Sequence, residues 1–408
     1  MSTARHRIPL ALLVAAGAFA AEARRLDGQQ ITLLAVGDIE WSRTTRAPSM
    51  FYDAPQRGGN GVLWDREDGW IRVPYAATPA SQAFLEAELG NPLIGENAHH
   101  LRAHHYPLSF DNEQDEARYP LRRAADVLRG ADIAFANLET PISDDARWSG
   151  AFRTPSPFAD ALAWAGIDVV ATANNHALDA EGEGLLDTIH HLSRAGVGYA
   201  GTGRDLDDAR RPYVVERRGL RVAFLAYAQF VNDGGSSFAT PGQSGVAPMD
   251  PFLIREDIGR ARERADLVLV SFHWGIENSQ DVHPGMRAFA HEVLDAGADG
   301  ILGHHPHVPR GIEVRDGKPI VYSMGNFIFG HGHDYWMDNI AVRMHMGPDG
   351  VTRVDVLPIA GRGDDLSQPY ILDGAAARSV LEDIQARSGE LGTTLRIEGN
   401  EGVIDIAR

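Results

Sequence analysis

The sequence predicts an α/β domain built on two mixed β-sheets with helices packed outside them. Short apolar runs alternate with amphipathic stretches from residue 121 to residue 303, which is the pattern of buried strands and surface helices. Two turns, Arg218-Gly219 and Asp316-Gly317, each separate a pair of apolar runs and indicate β-hairpins. The chain has 408 residues, 44% of them hydrophobic, and can therefore bury a large core.

The elements follow in a definite order along the chain. Strands are expected at 31–37, 133–138, 168–173, 267–272, 300–303, 339–346 and 350–360, and hairpins at 213–228 and 311–329. Helices are expected at 121–130, 158–166, 182–196, 254–265, 283–298 and 375–388, with Gly196 placed to end the third. We therefore expect one domain over residues 31–345, extended by the strand and helix segments of residues 346–408.

Residues 41–118 differ in composition from the rest of the domain. They are rich in Gly, Pro, Arg and His, with one short helix expected near Ser81–Leu89. A long irregular connection of this kind is usually functional or mobile. We interpret the stretch as an insertion that packs over one end of the sheet.

The first 23 residues have the pattern of a secretory signal peptide. A basic start, MSTARHR, precedes the apolar run IPLALLVAAGAFA, and small residues in an A-x-A pattern follow. The apolar run is shorter than the ~20 residues needed to span a bilayer, and an uncleaved anchor or a frayed helix is the alternative. We expect an exported protein, periplasmic or extracellular, with membrane association left open.

Charge and cysteine content exclude some functions. The net charge is -18, which argues against a broad nucleic-acid surface because such a surface is basic. The chain has no cysteine, so disulfides and thiolate metal sites are impossible. Any metal ion must be held by His, Asp, Glu or Asn, the ligand set of Mn, Fe, Zn or Mg.

Polar side chains able to bind metal follow six of the apolar runs, at the point where each run ends. Ligands of α/β sheets collect outside the carboxyl ends of the strands, so we expect these side chains to meet in one crevice. They are Asp38, Glu139, Asn174, Asn175, His176, His273, His304, His305, His307 and Asn326.

Each of these residues alone has an ordinary structural explanation. A strand-end aspartate such as Asp38 is often a turn or cap residue, a lone His273 is often a packed core histidine, and Asn326 suits a turn. His305 and His307 give a stronger signal, because a His-x-His pair on an extended segment points both imidazoles to one side. The coincidence of six such ends favours a metal site.

Six motifs occur in this order between Ile31 and Gly330: VGDIE, ANLETPI, ANNHALD, SFHWGIE, GHHPHVPRGIE and VYSMGNFIFG. As a set they resemble the motifs of the CapA/PgsA family, named for poly-γ-glutamate capsule synthesis, which is similar to the calcineurin-like metallophosphatases. The resemblance implies a two-sheet β-sandwich flanked by helices, in the layer order α/β/β/α. It also implies a centre of one or two divalent ions, Mn, Fe or Zn, at one rim.

The resemblance also assigns roles to single residues. It implies that the metal ligands are Asp38, Glu139, Asn175, His273, His305 and His307, with Glu139 as a bridging carboxylate. His176 matches the catalytic histidine that stabilises or protonates the leaving oxygen. Asp179 either orients His176 or caps the following helix. Asn326 and Trp274 are expected to line the substrate pocket, and His304 is expected either to line it too or to support a metal ligand from behind.

Two motifs depart from the pattern of the superfamily. Asp38-Ile39-Glu40 stands where Asp-x-His is usual, and Asn137-Leu138-Glu139 stands where Gly-Asp-x-x-Asp is usual. The first metal position is therefore expected to be weak or carboxylate-rich, and the number of ions is left open.

Two functions fit these expectations. One is an exported enzyme of capsule or exopolymer synthesis that hydrolyses a phosphoester, or a bond of an anionic polymer, with divalent metal ions. The other is a non-catalytic accessory factor that holds poly-γ-glutamate or a polysaccharide during export, beside membrane-bound synthase and export proteins. The altered first motifs favour the accessory factor, whereas His176 and the pair of His305 and His307 favour the enzyme.

Overall fold

A computed structural model describes residues 30–41, 61–62, 72–73, 112–145, 152–232, 238–329, 337–361 and 368–407. The signal-peptide prediction, the short helix near Ser81–Leu89 and most of the insertion predicted at 41–118 lie outside these residues. Within the described ranges, none of the helices combines the length and the apolar character that a bilayer crossing requires.

The first sheet has nine strands, and β1 (Ile31–Ile39) lies in its middle. This strand runs parallel to β4 (Ile133–Leu138) and β15 (Asn326–Ile328) and antiparallel to β16 (Asn339–Gly347). Beyond β16 come β17 (Gly350–Ile359), β19 (Glu401–Asp405) and β18 (Arg396–Glu398), and beyond β4 come β5 (Val169–Ala171) and β6 (Gly198–Ala200).

The second sheet has six strands and is also mixed. Its order is β13 (Ile312–Arg315), β14 (Lys318–Val321), β12 (Gly300–His304), β11 (Leu267–His273), β9 (Leu220–Ala228) and β8 (Tyr213–Arg217). The four inner strands are parallel, and the two edge strands pair antiparallel through the predicted hairpins. Both turns have positive φ at their two central residues, as type I′ turns require.

Two small ladders lie outside these sheets. β2 (Gly61–Val62) pairs with β3 (Arg72–Val73), and β7 (Thr202–Gly203) pairs with β10 (Gly245–Val246).

The two sheets pack face to face, and helices cover their outer faces. Between the sheets, Phe135 of β4 stacks on Phe224 of β9 with ring centroids 5.4 Å apart. On the outer face of the first sheet lie α1 (Glu113–Arg118), α2 (Ala125–Arg129) and α3 (Pro157–Ala165), with α4 (Glu181–Ala195) beside α3. On the outer face of the second sheet lie α6 (Pro251–Arg262) and α7 (Pro284–Asp295). The fold is therefore the α/β/β/α sandwich that the sequence led us to expect.

The C-terminal segment contributes to the same core. A short helix, α5 (Leu206–Ala209), precedes β8, and the last helix, α8 (Gly374–Glu390), buries Leu381 and Ile384 in the cluster between the sheets. The predicted helix end at Gly196 is confirmed, since α4 ends one residue earlier and Gly196 has a φ of 78°.

Three boundaries differ from the prediction. The helix expected at 121–130 is reduced to α2, because Pro120 lies in a 3₁₀ turn, Tyr119–Leu121, that interrupts the segment. Part of the expected insertion is the regular helix α1. Asn326 does not end the strand that begins near Val321: β14 stops at Val321, and Asn326 begins β15 in the other sheet.

Glycine at position 37 allows β1 to approach the segment before β15. A Cβ atom there would lie 1.9 Å from the carbonyl oxygen of Gly325. The backbone N–H of Asp38 donates to that same oxygen over 3.0 Å. The register between β1 and β4 shifts between Ala35 and Asp38, which is a bulge of the kind that redirects side chains near functional sites.

Candidate metal centre

The side chains predicted as metal ligands come together at one rim of the sandwich. Asp38 lies near the carboxyl end of β1 in the first sheet, Glu139 follows β4, and Asn175 follows β5. His273 ends β11 in the second sheet, and His305 and His307 follow β12. The carboxyl ends of the parallel strands of both sheets thus meet at this rim, as expected for α/β sheets.

His273 lies at the centre of the contacts between the two sheets. Its Nε2 atom is 2.7 Å from Asn175 Oδ1, 3.1 Å from His305 Nδ1 and 3.4 Å from Glu139 Oε1. All four side chains are almost fully buried. Two imidazole nitrogens, an amide oxygen and a carboxylate oxygen therefore converge within one small volume.

Asp38 is held by donors from both sheets. Its Oδ1 atom accepts hydrogen bonds from Asn137 Nδ2 at 2.9 Å and from His304 Nδ1 at 3.0 Å. Its Oδ2 atom accepts from the backbone N–H of His305 at 3.2 Å and lies 3.8 Å from His307 Nδ1. Burial alone raises the pKa of Asp38, but the hydrogen bond from His304 and the charges of His304 and His307 bring it below its ordinary value.

Of the two places expected for His304, the geometry favours the one behind a candidate ligand. Its side chain is fully buried and its Nδ1 is directed to Asp38, so it does not line an open pocket. Its ring also contacts Phe135, with centroids 6.0 Å apart. His304 therefore fixes the position of Asp38 from behind.

His305 and His307 both lie at the candidate site, but their backbone conformation differs from the one predicted. Strand β12 ends at His304, so the two residues do not lie on an extended segment. Both have left-handed backbone conformations, with φ of 96° and 59°, which cost about 1–3 kcal/mol each in non-glycine residues. Backbone strain at two residues of one candidate site is typical of functional sites.

Asn326 positions His307 from the start of β15. Its Oδ1 atom accepts a hydrogen bond from His307 Nδ1 at 2.8 Å, which leaves Nε2 as the nitrogen able to bind a cation. Asn326 is 1% exposed. Its side chain therefore orients a ligand candidate and is not part of an open pocket wall.

Trp274 does not contribute to the site, which corrects its predicted place in the pocket. Successive residues of a strand point to opposite faces, and Trp274 lies on the helix-covered face of the second sheet, opposite to His273. Its indole N–H donates to the carbonyl of Tyr322 at 3.1 Å, and its ring stacks on Phe272 with centroids 4.8 Å apart. It is a core residue of that face.

His176 and Asp179 form a pair beside the cluster. His176 Nδ1 lies 2.9 Å from Asp179 Oδ2. Asp179 does not cap α4, whose N-cap is Ala180 without a side-chain hydrogen bond. Between the two roles left open by the sequence, the geometry thus favours the one in which Asp179 orients His176. Asn232 follows β9 and places its amide nitrogen 3.5 Å from both ring nitrogens of His176.

Two residues of the site were missed by the sequence analysis. Asn137 donates to Asp38, and its amide nitrogen lies 3.4 Å from both Glu139 Oε2 and His273 Nδ1. Glu277 joins His305 and His307 in a group whose ligand atoms lie within 4.8 Å of one another. Asn137 lies two residues before Glu139, on the same face of the chain, and this spacing was the available signal. Glu277 lies in a loop, where no such periodicity applies.

The surroundings shift the pKa values of Glu139, His273 and His305 in the directions that favour their uncharged forms. Burial raises the pKa of Glu139 well above its ordinary value, and the charges of Asp38 and Glu277 raise it further. Burial also lowers the pKa of His273 well below its ordinary value and lowers the pKa of His305 to about 3, with repulsion from neighbouring histidines in both cases. A cation would reverse the shift of Glu139 and would bind the neutral nitrogen lone pairs directly.

The residues present fit a divalent cation. Among the residues that the structure describes, Glu139 Oε1 is fully buried and accepts no hydrogen bond, which is costly unless a cation or water completes the site. Three groups of buried or exposed His, Asp and Glu side chains have ligand atoms within 4.8 Å of one another: Glu139, His273 and His305; Asp38, Glu139 and His307; and Glu277, His305 and His307. Nitrogen and oxygen donors in this mixture suit Mn, Fe or Zn.

Known proteins match much of the chain. The family described as bacterial capsule synthesis protein PGA_cap matches residues 89–331. The chain is 33% identical over 240 residues to the PGA biosynthesis protein CapA of Bacillus subtilis (strain 168), which covers 57% of this chain and 62% of that protein, less than two thirds of its length. It is 30% identical over 299 residues to a probable polyglutamine synthesis accessory protein of Mycobacterium tuberculosis, which covers 67% of this chain and 78% of that protein.

Among solved structures, the chain is similar to the sulfate thiohydrolase SoxB of Thermus thermophilus. It matches 88% of this chain and 60% of its own, with a TM-score of 0.41 and 13% sequence identity.

Proposed function

Because this chain belongs to the bacterial capsule synthesis protein family PGA_cap, we propose that it acts in the synthesis of a capsule polymer as a metal-dependent hydrolase. The observation that carries the proposal is the convergence of Glu139, His273 and His305 beside the pair of His176 and Asp179. The bond cleaved is a phosphoester, or an amide or ester bond of an anionic polymer such as poly-γ-glutamate. The pattern of residues 1–23 supports action after export.

When bound, divalent cations would supply Lewis acidity for hydrolysis at neutral pH. Asp38, Glu139, His273, His305 and His307 would hold them, with Asn175 as a further oxygen donor. Glu139 can contribute to two of the candidate ligand groups, which fits a bridging carboxylate.

His176 is placed to handle the proton of the leaving group. Asp179 accepts a hydrogen bond from His176 Nδ1 and so fixes the ring and its tautomer. The Nε2 atom on the opposite side of the ring is then the position that holds a proton and gives it to the leaving oxygen. The side chain of His176 is 17% exposed, so a substrate can approach it from the rim.

A non-catalytic accessory factor is the second candidate, and one observation favours it. The Asn137 amide donates to Asp38 and lies near Glu139, where a carboxylate would add negative charge and strengthen cation binding. The Mycobacterium tuberculosis relative is itself named an accessory protein. In this role the cations would bind polymer carboxylates without turnover.

Turnover by protein loaded with Mn²⁺ or Zn²⁺ separates the two candidates. The substrates are an aryl phosphate and poly-γ-glutamate, and metal analysis gives the ions bound per chain. For a hydrolase we expect turnover of at least one substrate, and His176→Ala should lower kcat by about 10²–10⁴-fold, the usual contribution of a general acid, with unchanged metal content. His190→Ala, which changes an exposed histidine of α4, is the matched control.

Metal-dependent binding of poly-γ-glutamate without turnover of either substrate would overturn the hydrolase in favour of the accessory factor. A His176→Ala variant as active as the parent would contradict the role given to His176.

A further inference from the structure

Three phenylalanine rings each contact a different histidine of the site. Phe152 lies 4.4 Å from the His176 ring, Phe230 lies 4.8 Å from the His305 ring, and Phe329 lies 4.7 Å from the His307 ring, measured between centroids. The three come from separate segments: Phe152 precedes α3, Phe230 follows β9, and Phe329 follows β15. Three aromatic residues that are distant in sequence therefore contact the histidines of one site.

The three rings differ in exposure. Phe329 is 3% exposed and packs against His307. Phe152 and Phe230 are half-buried, so each ring covers a histidine with part of its surface and leaves the rest accessible. We call Phe152 and Phe230 the aromatic rim.

The loop after His273 exposes an apolar residue next in sequence to Glu277. Ile276 is 69% exposed and immediately precedes Glu277, whose carboxylate is grouped with His305 and His307. Arg310 holds this loop: it is 1% exposed and donates to the carbonyls of Ser279 and Ile276. The guanidinium of Arg310 is therefore committed to the loop backbone, and Ile276 is presented to solvent beside the ligands.

We propose that the aromatic rim and Ile276 form a subsite for an apolar group, so that the site takes an ester with an anionic head and an alkyl or aryl body. The head binds at the cations, and the body lies on Phe152 and Phe230. Aromatic side chains give a large apolar contact surface at low cost in conformational entropy.

The inference deepens the proposed function and rests on its cation site, but it does not depend on turnover. Alkylphosphonates carry the same kind of anionic head and are not hydrolysed, so binding can be measured in isolation. We expect Mn²⁺-loaded protein to bind hexylphosphonate at least about 10-fold more tightly than methylphosphonate, because the longer chain buries more apolar surface. Titration calorimetry measures both affinities.

The rim variants test which residues carry this preference. Phe152→Ala and Phe230→Ala should each reduce the ratio of the two affinities by about 3-fold or more while changing the methylphosphonate affinity little, and Phe152→Leu and Phe230→Leu should retain most of the ratio. Phe252→Ala is the matched control, since Phe252 is 82% exposed and is the second residue of α6. A purely structural role of the rings would instead weaken both ligands equally.

The subsite would be overturned if the protein bound the two phosphonates with equal affinity or bound neither. It would also be overturned if the rim variants lost affinity for both phosphonates equally. Failure of the hydrolase is a separate result: it would appear as absent turnover with the chain-length preference intact.

Discussion

Glu139 and Glu277 offer carboxylates to the same histidine from two different environments. Glu139 is fully buried, whereas Glu277 is exposed, and His305 belongs to a candidate ligand group with each of them. Charge interactions are stronger in a buried site, because the effective dielectric constant there is lower and salt screens less. The two carboxylates should therefore contribute unequally to cation affinity.

We expect Glu139→Gln to weaken Mn²⁺ binding more than about 100-fold and Glu277→Gln to weaken it about 10-fold, in line with the large effects of changes around metal sites. Titration calorimetry of the metal-free protein measures both. Glu263→Gln, at an exposed position after α6, serves as control. An effect of Glu277→Gln as large as that of Glu139→Gln would show that burial does not rank the ligands.

At the scale of elements, the sequence was informative wherever a local pattern decided the structure. The hairpins at Arg218-Gly219 and Asp316-Gly317 and the end of α4 at Gly196 follow from backbone conformations that glycine favours. The separate strand β15 could not be predicted, since its place in the first sheet depends on pairing with β1, almost 300 residues earlier in the chain.

The candidate site, like the helices and strands, was predictable only where a local sequence pattern decides the structure. Strand-end positions identified Asp38, Glu139 and His273, because parallel strands present their carboxyl ends at one edge. The left-handed conformations of His305 and His307 have no signature in residue type, so the extended geometry expected for this pair was wrong. Trp274 was misplaced because strand alternation was not applied past His273.

The bulge at Gly37 predicts a specific sensitivity. Gly37→Ala would place a methyl group 1.9 Å from the Gly325 carbonyl oxygen, so we expect a loss of about 3 kcal/mol in the free energy of unfolding, as for overpacked cores. Urea unfolding measures it. Gly259→Ala in α6 should instead raise the free energy of unfolding by about 0.5–1 kcal/mol, because a Cβ atom there meets nothing within 4 Å. A Gly37→Ala protein as stable as the parent would refute the close approach of β1 to Gly325.

An ion pair with a buried carboxylate fastens α7 to the second sheet. Glu313 of β13 accepts hydrogen bonds from Arg287 at 2.8 Å, from His291 at 2.9 Å and from the hydroxyl of Tyr322 at 2.7 Å. Burial raises the pKa of Glu313, but these hydrogen bonds outweigh it, so the pKa lies below the ordinary value of 4.5. The ionised form of Glu313 thus stabilises the folded state.

The pH dependence follows from that direction. A carboxyl group whose pKa is lower in the folded than in the unfolded state stabilises the folded protein. This stabilisation is fully present at a pH above the unfolded-state pKa and is lost as the pH falls through the folded-state pKa. Glu313→Gln should therefore lower the free energy of unfolding by about 2 kcal/mol at pH 7. The difference in free energy of unfolding between variant and parent should shrink as the pH falls below about 4.5. Urea unfolding with a chelator present, at pH 7 and at intervals below pH 5, measures this. A constant difference across that range would contradict the assignment.

At the scale of the whole molecule, the candidate centre is shared between the two sheets. The first sheet supplies Asp38 and Glu139, and the second supplies His273, His305 and His307. Since the donors meet only when both sheets are packed, a cation that binds them stabilises the complete sandwich. At a concentration 100 times its Kd, the gain is about 2.7 kcal/mol if the unfolded chain does not bind it.

The position of the bound ion is the most direct test of this account. In crystals grown with Zn²⁺, we predict an anomalous scattering peak about 2.0–2.2 Å from ring nitrogens of His273 and His305 and from a carboxylate oxygen of Glu139, as zinc coordination requires. A peak confined to other side chains, or none at this rim with millimolar Zn²⁺ present, would contradict the claim that the two sheets share a metal centre.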